Sequence, residues 1–500
     1  MPRTAPPPVL AAIDVGTNAV RLELARAEGD GSLETIHQER DPIRPGEGVF
    51  STGSIPDEVA DRLVLTLRRY ALLCRRYKAQ VRAVATAALR DAANREEIVR
   101  RARTEAGLEL EVVSGLEEAR LICLGVLHRK PKDARSLLID IGGGSTEVIS
   151  AQGETPLELW SLPLGAVRLT ELFGTGGAVN PAKARLLRGH CAEVLRRHLP
   201  KRPARAPKVA LGSSGTINAL IGYVAEEGTG HATLRQLTRA VDALALMPAA
   251  QRRKHFDPRR AEIIVAGAVI LEQVAKHLGC ESVSGVNRGL RDGILVDLLH
   301  RLDADWKNPS LTEAALALGR KFHFDEAHCT HVAGLALELF DDLEPLHELP
   351  SSARAFLEVA ALLHDVGNAV SHDRHHKHTY YLIHHADIAG LSDGERELVA
   401  LVARYHRRSP PDPSHAGMAG LGAVEARAVR RLATILRLAN ALDRSHMQTV
   451  RRVKARRGRE AVTLLLRARG PVDLEQWSVE REAENFRRVF GKRLECAVEG

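Results

Sequence analysis

SLLIDIGGGSTEVIS, residues 136–150, decides the fold. An apolar run of Leu137, Leu138, Ile139 and Ile141 is broken at Asp140 and then by Gly142, Gly143 and Gly144. It resumes after Ser145, Thr146 and Glu147 with Val148 and Ile149. The pattern predicts a strand, a tight turn whose bare amides can approach a polyanion, and a returning strand. The chain repeats it: residues 11–25, AAIDVGTNAVRLELA, set Asp14, Gly16, Thr17 and Asn18 in the same order of strand, Asp-x-Gly turn and strand. One glycine-rich hairpin is a weak signal. Two with matching polar residues predict homologous half-domains facing each other across a phosphate.

Composition bounds the rest. A chain of 500 residues is too long for one core, and roughly three or four domains are expected. Hydrophobic content of 44% and charged content of 27% are globular values. The six cysteines contain no CxxC pair, so neither a disulfide framework nor a zinc ribbon is indicated. The start, MPRTAPPPVL, lacks a charged region followed by an apolar core, and no apolar run approaches the ~20 residues of a membrane helix. A cytoplasmic location is expected. The net charge of +8 favours anionic partners. Basic residues gather at Arg68–Arg82, Arg196–Lys208, Arg252–Arg260 and Arg451–Arg459, each also readable as a solvated face or linker. Aromatics make up 4% and are not interleaved with these clusters, so neither nucleic acid nor membrane is expected as a partner. A long anion without bases fits better.

Along the chain, residues 9–50 read as strands with short turns and 56–78 as an amphipathic helix. A strand at Glu109–Val113 leads into a helix at Leu116–Arg129, and a third strand-turn-helix, VALGSSGTINAL, spans Val209–Leu220 beyond a Pro/Arg-rich linker at Leu199–Lys208. Alternating strands and helices predict a mainly parallel sheet with ligands at the strand ends. From about Asn308 to His446 the pattern is helical and rich in histidine. The last fifty residues alternate again, with strands expected at Ala461–Leu466 and Leu494–Val498 around a helix at Val479–Phe490. The expected domains are 1–130, 131–305, 306–450 and 451–500.

Asp14 and Asp140 end buried strands at glycine turns. A carboxylate there can hold a divalent cation while adjacent amides and hydroxyls take phosphate oxygens, or can merely initiate the turn. Ser114 and Glu117 form an S-x-x-E capping box, which makes Glu117 structural. Glu118 is left at the first turn of that helix as the candidate carboxylate to orient water and accept its proton. Glu147 lies close to any phosphate at the triple-glycine turn. Arg90 follows a strand and a Thr-Ala-Ala turn, and one guanidinium binds two phosphate oxygens.

IDVGTNAVRL, VATAALRDA, SGLEEARLICLGV, IDIGGGSTEV, GSSGTINAL and NRGLRDGIL, in this order, resemble the exopolyphosphatase/guanosine pentaphosphate phosphohydrolase family of the actin-like ATPase superfamily. The resemblance runs from the first strand to about Arg301 and continues through the helical region. It implies an α/β fold of two actin-like (ribonuclease H-like) domains, followed by an all-α HD-like domain and a small α+β C-terminal domain. It also implies Mg²⁺ and a phosphate chain in the cleft. Carried over, Glu118 corresponds to the catalytic base and Glu147 to a second essential carboxylate. Asp14 and Asp140 match metal and phosphate positions, and Thr17, Asn18, Arg90, Gly143, Gly144 and Ser145 match phosphate-contacting positions. Arg288 and Arg291 belong to a further motif of the family.

The helical region has its own constellation. His331, the adjacent His364 and Asp365, and Asp443 lie on separate helices and resemble the HD phosphohydrolase pattern, whose members converge on a divalent metal. His375, His376, His378, His384, His385 and His406 lie near enough in sequence to extend that site to a second metal. The leading expectation is release of terminal phosphate from linear polyphosphate by a homodimer. The alternatives are guanosine pentaphosphate 5′-phosphohydrolase, an HD-domain phosphohydrolase with a sensory actin-like region, and a non-catalytic (p)ppGpp sensor.

Overall fold

The computed structural model describes residues 7–28, 32–200, 207–225, 230–302, 309–415 and 417–498. The linker expected at Leu199–Lys208 falls mostly, and the boundary expected near 306 wholly, outside them. The chain divides between residues 303 and 304 into two compact units.

The first unit holds two sheets of related topology. β1 (Val9–Val15) is apolar at almost every position because it is the middle strand of a five-stranded sheet. Ala11, Ile13 and Val15 enter one buried cluster while Leu10 and Ala12 enter another, so both faces are covered. The order is β3-β2-β1-β4-β5, with β2 at Val20–Ala27, β3 at Leu33–Asp41, β4 at Gln80–Ala85 and β5 at Leu110–Val112. The second sheet runs β10-β11-β9-β6-β7-β8. Its strands are β6 (Arg135–Ile141), β7 (Thr146–Gln152), β8 (Thr155–Leu162), β9 (Val209–Ser213), β10 (His231–Thr233) and β11 (Ser282–Gly285). Each sheet begins as an antiparallel three-strand meander and continues through two parallel strands, and in the second sheet the edge strand β10 is then added antiparallel to β11. This is the duplication that the paired hairpins predict, on an actin-like α/β plan.

Helices cover these sheets for readable reasons. Asp57–Arg76 starts after Pro56 with two acidic residues, ends on Arg75 and Arg76, and buries Val59, Leu63, Leu67, Tyr70 and Cys74 at helical spacing. The helix Gly115–Leu127 is buried almost all round. Leu121 packs with Leu10, Ala12 and Val84 of the first sheet, and Ile122, Cys123 and Val126 pack with Leu138 and Ile149 of the second.

The expected cut near residue 130 follows the chain but not the packing. The helix Leu290–Leu302, which closes the second half, returns to the first sheet through Ile294, Leu295 and Leu298. It crosses Gly115–Leu127 so closely that a Cβ at Gly293 would lie 1.7 Å from Leu121 O. A buried ion network locks the crossing. Asp297 accepts from Arg82 and Arg120 at 2.6 Å each and from Arg301 at 2.7 Å, and Glu117 accepts from Arg120 at 2.7 and 2.8 Å and from Arg82 at 3.1 Å.

The second unit is helical up to Ala441, as expected, and then adds a three-stranded sheet ordered β12-β13-β14. β13 (Ala461–Ala468) and β14 (Arg493–Val498) coincide with expected strands, but β12 (Val450–Arg457) lies in the cluster read only as basic. Its Val450, Val453 and Ala455 face inward while the arginines alternate outward. The expected helix at Val479–Phe490 is two, Asp473–Glu480 and Ala483–Phe490. The described residues from 451 to 498 share their core with the helices. Val453, Val462, Leu464 and Phe486 share one apolar cluster with Leu335, Leu357, Val399 and Leu436 of the helices. No helix among the described residues is long and apolar enough to cross a membrane.

Candidate active site

The two hairpins are superposable in register. Asp14 pairs across β1–β2 with Arg21, and Asp140 pairs across β6–β7 with Glu147. Both turns close with the same bond, Gly16 N donating to Ala19 O at 3.1 Å and Gly142 N to Ser145 O at 2.9 Å. The carbonyls of Gly142 and Gly143 accept from the amides of Ala166 and Val167 at 3.0 and 2.9 Å, where the helix Ala166–Phe173 begins. Glycine is required here by close packing across the cleft. A Cβ at Gly143 would lie 2.6 Å from Thr17 Cβ, and one at Gly144 would lie 2.6 Å from Ala87 Cβ. The two turns therefore do face each other.

The third turn joins them. Ser214, at φ +87°, caps the helix Gly215–Val224 by accepting from Ile217 N at 3.3 Å. A left-handed non-glycine residue costs about 1–3 kcal/mol, a strain that concentrates at functional sites. Together the turns line a cleft of about 370 Å³ that includes Asp14, Thr17, Asn18, Glu118, Asp140, Gly143, Gly144, Ser145, Ser214 and Gly215. Arg21, Arg40, Arg260, Arg288 and Arg291 form its cationic part, and among the described residues no aromatic side chain lines it.

The carboxylates of the cleft are held in an unusual state. Burial pushes Glu118 up to about 7; Arg90 restrains the rise, while Asp140 and Asp14 add to it. Glu147 is fully buried and is raised well above the usual carboxylate range by burial, then by Glu118 and Asp140, against hydrogen bonds from Ser145 and Ser161. Ser161 Oγ donates to Glu147 Oε1 at 2.8 Å, and Glu147 Oε2 has no hydrogen-bond partner among the described residues. Burial also raises Asp14, opposed by Arg21 and Arg291, and Asp140, opposed by Ser213 and Arg21. The arginines are strained in the opposite sense. Burial and the charges of Arg21, Arg259 and Arg291 lower Arg40, and burial with Arg40 and Arg21 lowers Arg260. Packed acids on one side and mutually repelling cations on the other suit a ligand carrying both phosphate charge and a divalent ion.

Three residues sit differently from expectation. Arg90 does not line the cleft; its Nη1 donates to Glu118 at 3.1 Å and to Val113 O at 2.9 Å, so it holds the carboxylate. Glu117 makes the expected cap bond, its N–H donating to Ser114 Oγ at 3.0 Å, but its carboxylate lies in the buried arginine network, which a capping box does not predict. Glu147 lies behind the lining rather than in it. Arg21, Arg40 and Arg260 were not singled out from sequence. Arg21 had a signal, because it follows Asp14 by the same seven positions that separate Asp140 from Glu147. The cluster Arg252–Arg260 divides: Arg252 is fully buried on the carbonyls of Gly176 and Gly177, at 2.7 Å each, and Arg260 enters the cleft.

In the second unit, His364 and Asp365 are adjacent as expected, but His331 is not beside them. Its Nε2 lies 2.8 Å from Val450 O, so strand β12 takes it. The histidine of that helix that turns inward is His328, one turn earlier, with Nδ1 2.8 Å from Asp443 Oδ2. Of the additional histidines, His375 and His406 approach Asp365 at 3.3 and 3.5 Å. His384 pairs with Glu397, and His385 Nδ1 bonds Tyr381 O.

Comparison with known proteins adds to this geometry. Residues 25–302 match the Ppx/GppA phosphatase family, and residues 312–479 match Ppx/GppA phosphatase, domain III. A Ppx/GppA family member from Aquifex aeolicus is similar over 60% of this chain and 99% of its own, with 28% identity and a TM-score of 0.52. An exopolyphosphatase from Cytophaga hutchinsonii is similar over 58% of this chain and 97% of its own, with 26% identity and a TM-score of 0.52.

Proposed function

Because the chain belongs to the Ppx/GppA phosphatase family and is a phosphatase, we propose that it hydrolyses the terminal phosphate from linear inorganic polyphosphate in the cleft of its first unit. The observation that carries this reading is Glu118: a buried carboxylate with a pKa near 7, held by Arg90 in a cleft of glycine turns and arginines. The family's substrates are polyphosphate and (p)ppGpp. A cleft without an aromatic face for a base, but with five arginines, suits an unbroken run of phosphates better than a guanosine.

Glu118 orients a water and takes its proton as the water oxygen joins the terminal phosphorus and the anhydride P–O bond breaks. A base with pKa near the working pH combines ionisation with basicity, which burial has arranged here. Arg90 fixes its direction. Amides at Gly143, Gly144 and Gly215, with the hydroxyls of Thr17 and Ser145, face the terminal phosphate oxygens, where spread-out charge needs positioned donors. Asp14 and Asp140 are the residues that would hold Mg²⁺. No three of the cleft's carboxylates bring ligand atoms within 4.8 Å of one another among the described residues. That fits a cation held by one or two carboxylates with waters and substrate phosphate. Bound there, Mg²⁺ offsets charge on the phosphate chain.

Hydrolysis of medium-length polyphosphate and guanosine pentaphosphate, followed by phosphate release, and of a generic phosphodiester, followed by release of its alcohol, tests the assignment. Polyphosphate is expected to be the fastest; a preference for pentaphosphate would replace the substrate, and activity only on the phosphodiester would remove the cleft from the chemistry. Arg260→Ala is expected to weaken long-chain binding and to make its dependence on salt shallower by about one unit of log–log slope, as for one lost phosphate contact. An unchanged slope would take Arg260 out of the path of the chain.

A further inference from the structure

In the first unit, away from the cleft, His128, Glu154 and His300 come together from three segments. His128 caps the C-terminus of the helix Gly115–Leu127, and His300 lies in the last turn of Leu290–Leu302, the helix that crosses it. Glu154 stands on the turn between β7 and β8. Backbone contacts fix the three relative to one another. Gly153, at φ +57°, donates its N–H to Ala134 O at 2.7 Å, and a Cβ there would lie 3.0 Å from Lys132 Cα. The hairpin turn is thereby held against the chain leaving the first helix. Arg129, left-handed at φ +66°, turns its N–H onto Glu154 Oε1. None of the three side chains lines the cleft.

The three residues each bring one ligand atom within 4.8 Å of the other two. The two imidazole rings stand 6.2 Å apart, centroid to centroid, at 61°. His128 Nδ1 is 3.5 Å from Glu154 Oε1, too far for a good hydrogen bond. That spacing is close to the ~3.3 Å between two ligands that each lie about 2.0–2.1 Å from one tetrahedral metal. Both ring nitrogens of His128 are shielded from solvent, and neither has a hydrogen-bond partner among the described residues. A neutral imidazole carries one donor and one acceptor, and leaving them idle inside a protein costs stability. An ion on the ring uses the acceptor. Burial lowers the pKa of His300, and His128 acts in the same sense against Glu154 and Asp297, so this ring is held neutral and able to ligate. Burial works to raise Glu154, but His128, the Arg129 N–H and His300 outweigh it and keep the carboxyl below its usual range.

We propose that His128, Glu154 and His300 bind one divalent transition metal ion, Zn²⁺ foremost, in a three-ligand site whose remaining position takes water. Two imidazoles with a carboxylate suit Zn²⁺, whereas Mg²⁺ asks for oxygen ligands, so this ion differs in kind from one held among phosphates and carboxylates. It has a way in, because the His128 side chain is 14% exposed and that of Glu154 31%. Bound there, the ion fastens the ends of both crossing helices to the β7–β8 hairpin. Asp297, whose ion network locks the same crossing, precedes His300 by three positions on one helix. Ion and network therefore act on one contact, the first from the rim and the second from the interior.

The test uses the full chain, stripped with a chelator, reloaded with Zn²⁺ and passed through gel filtration, with bound zinc counted per chain. The histidines of the second unit offer imidazole too, so the count is made by difference. His128→Gln, Glu154→Gln and His300→Gln are each expected to hold one ion fewer than the parent, the affinity falling by more than the ~10–100-fold of a lost orienting partner. The same single loss is expected when His406→Ala is the starting chain. Zinc at roughly a hundredfold excess over Kd is expected to raise the melting temperature of the first unit by ~4 °C in the parent and not in the three variants. Circular dichroism checks that each variant is folded, and Glu154→Gln, on a hairpin turn, decides the matter if a helix-end variant is not. A parent that holds no zinc would overturn the proposal. A folded variant of the three that holds as much as the parent, or an equal thermal shift in parent and variants, would overturn it too and leave an ordinary ion pair at the hairpin.

Discussion

Replacing Glu118 by glutamine is expected to lower turnover on polyphosphate by ~10²–10⁴-fold, the worth of a positioned base, with little change in affinity. Glutamine keeps the shape and the contact with Arg90 but cannot take the proton. The fold should not suffer. A carboxylate whose pKa is raised by burial favours the folded state only below its unfolded value, and that contribution is lost as pH rises through about 7. Glu118→Gln removes an ionised group that costs stability at higher pH, so its melting temperature should equal or exceed the parent's. Glu117→Gln should behave the opposite way: its carboxylate bonds the buried Arg82 and Arg120, so stability should fall while turnover per folded molecule persists. Equal losses of turnover from both substitutions would remove the assignment.

The second large effect lies in that ion network. Asp297→Ala strips a buried carboxylate from Arg82 and Arg120 and should destabilise the first unit by about 3–5 kcal/mol, the cost of leaving buried charges uncompensated. Burial alone would raise the pKa of Asp297, but Arg120, Arg82 and Arg301 outweigh burial and hold it far below the ordinary range. A depressed carboxylate contributes stability that is present above its unfolded pKa of ~3.9 and is lost as pH falls below it. Denaturant unfolding between neutral pH and pH ~3 should therefore show a steeper acid loss in the parent than in Asp297→Asn. Parallel curves would mean that the network adds no net stability.

What could be read from the sequence divides along physical lines. The hairpins were legible because strand, turn and carboxylate are local and occur twice. Their strand neighbours, and the amphipathic helix Asp57–Arg76, followed from periodicity alone. The return of Leu290–Leu302 to the first sheet was not legible, because nothing local records that Gly293 must pass against Leu121. Strand β12 was hidden by its arginines, which alternate with three inward apolar residues. Arg40 and Arg260 reach the cleft from segments more than two hundred positions apart. His328 and His331 stand three positions apart on one helix, so periodicity could not say which one turns inward. Strand β12, itself unrecognised, decides it by offering Val450 O to His331.

The central claim is that the chemistry belongs to the cleft between the duplicated hairpins and not to the histidine cluster of the second unit. Initial rates of phosphate release from polyphosphate, compared between Asp140→Ala and Asp365→Ala at equal folded concentration, test it most directly. Asp140→Ala should nearly abolish release, because it disturbs the cation position and the turn that faces the substrate. Asp365→Ala should keep most of it while losing any transition metal. Activity retained in Asp140→Ala and lost in Asp365→Ala would contradict the account and hand catalysis to the histidine cluster.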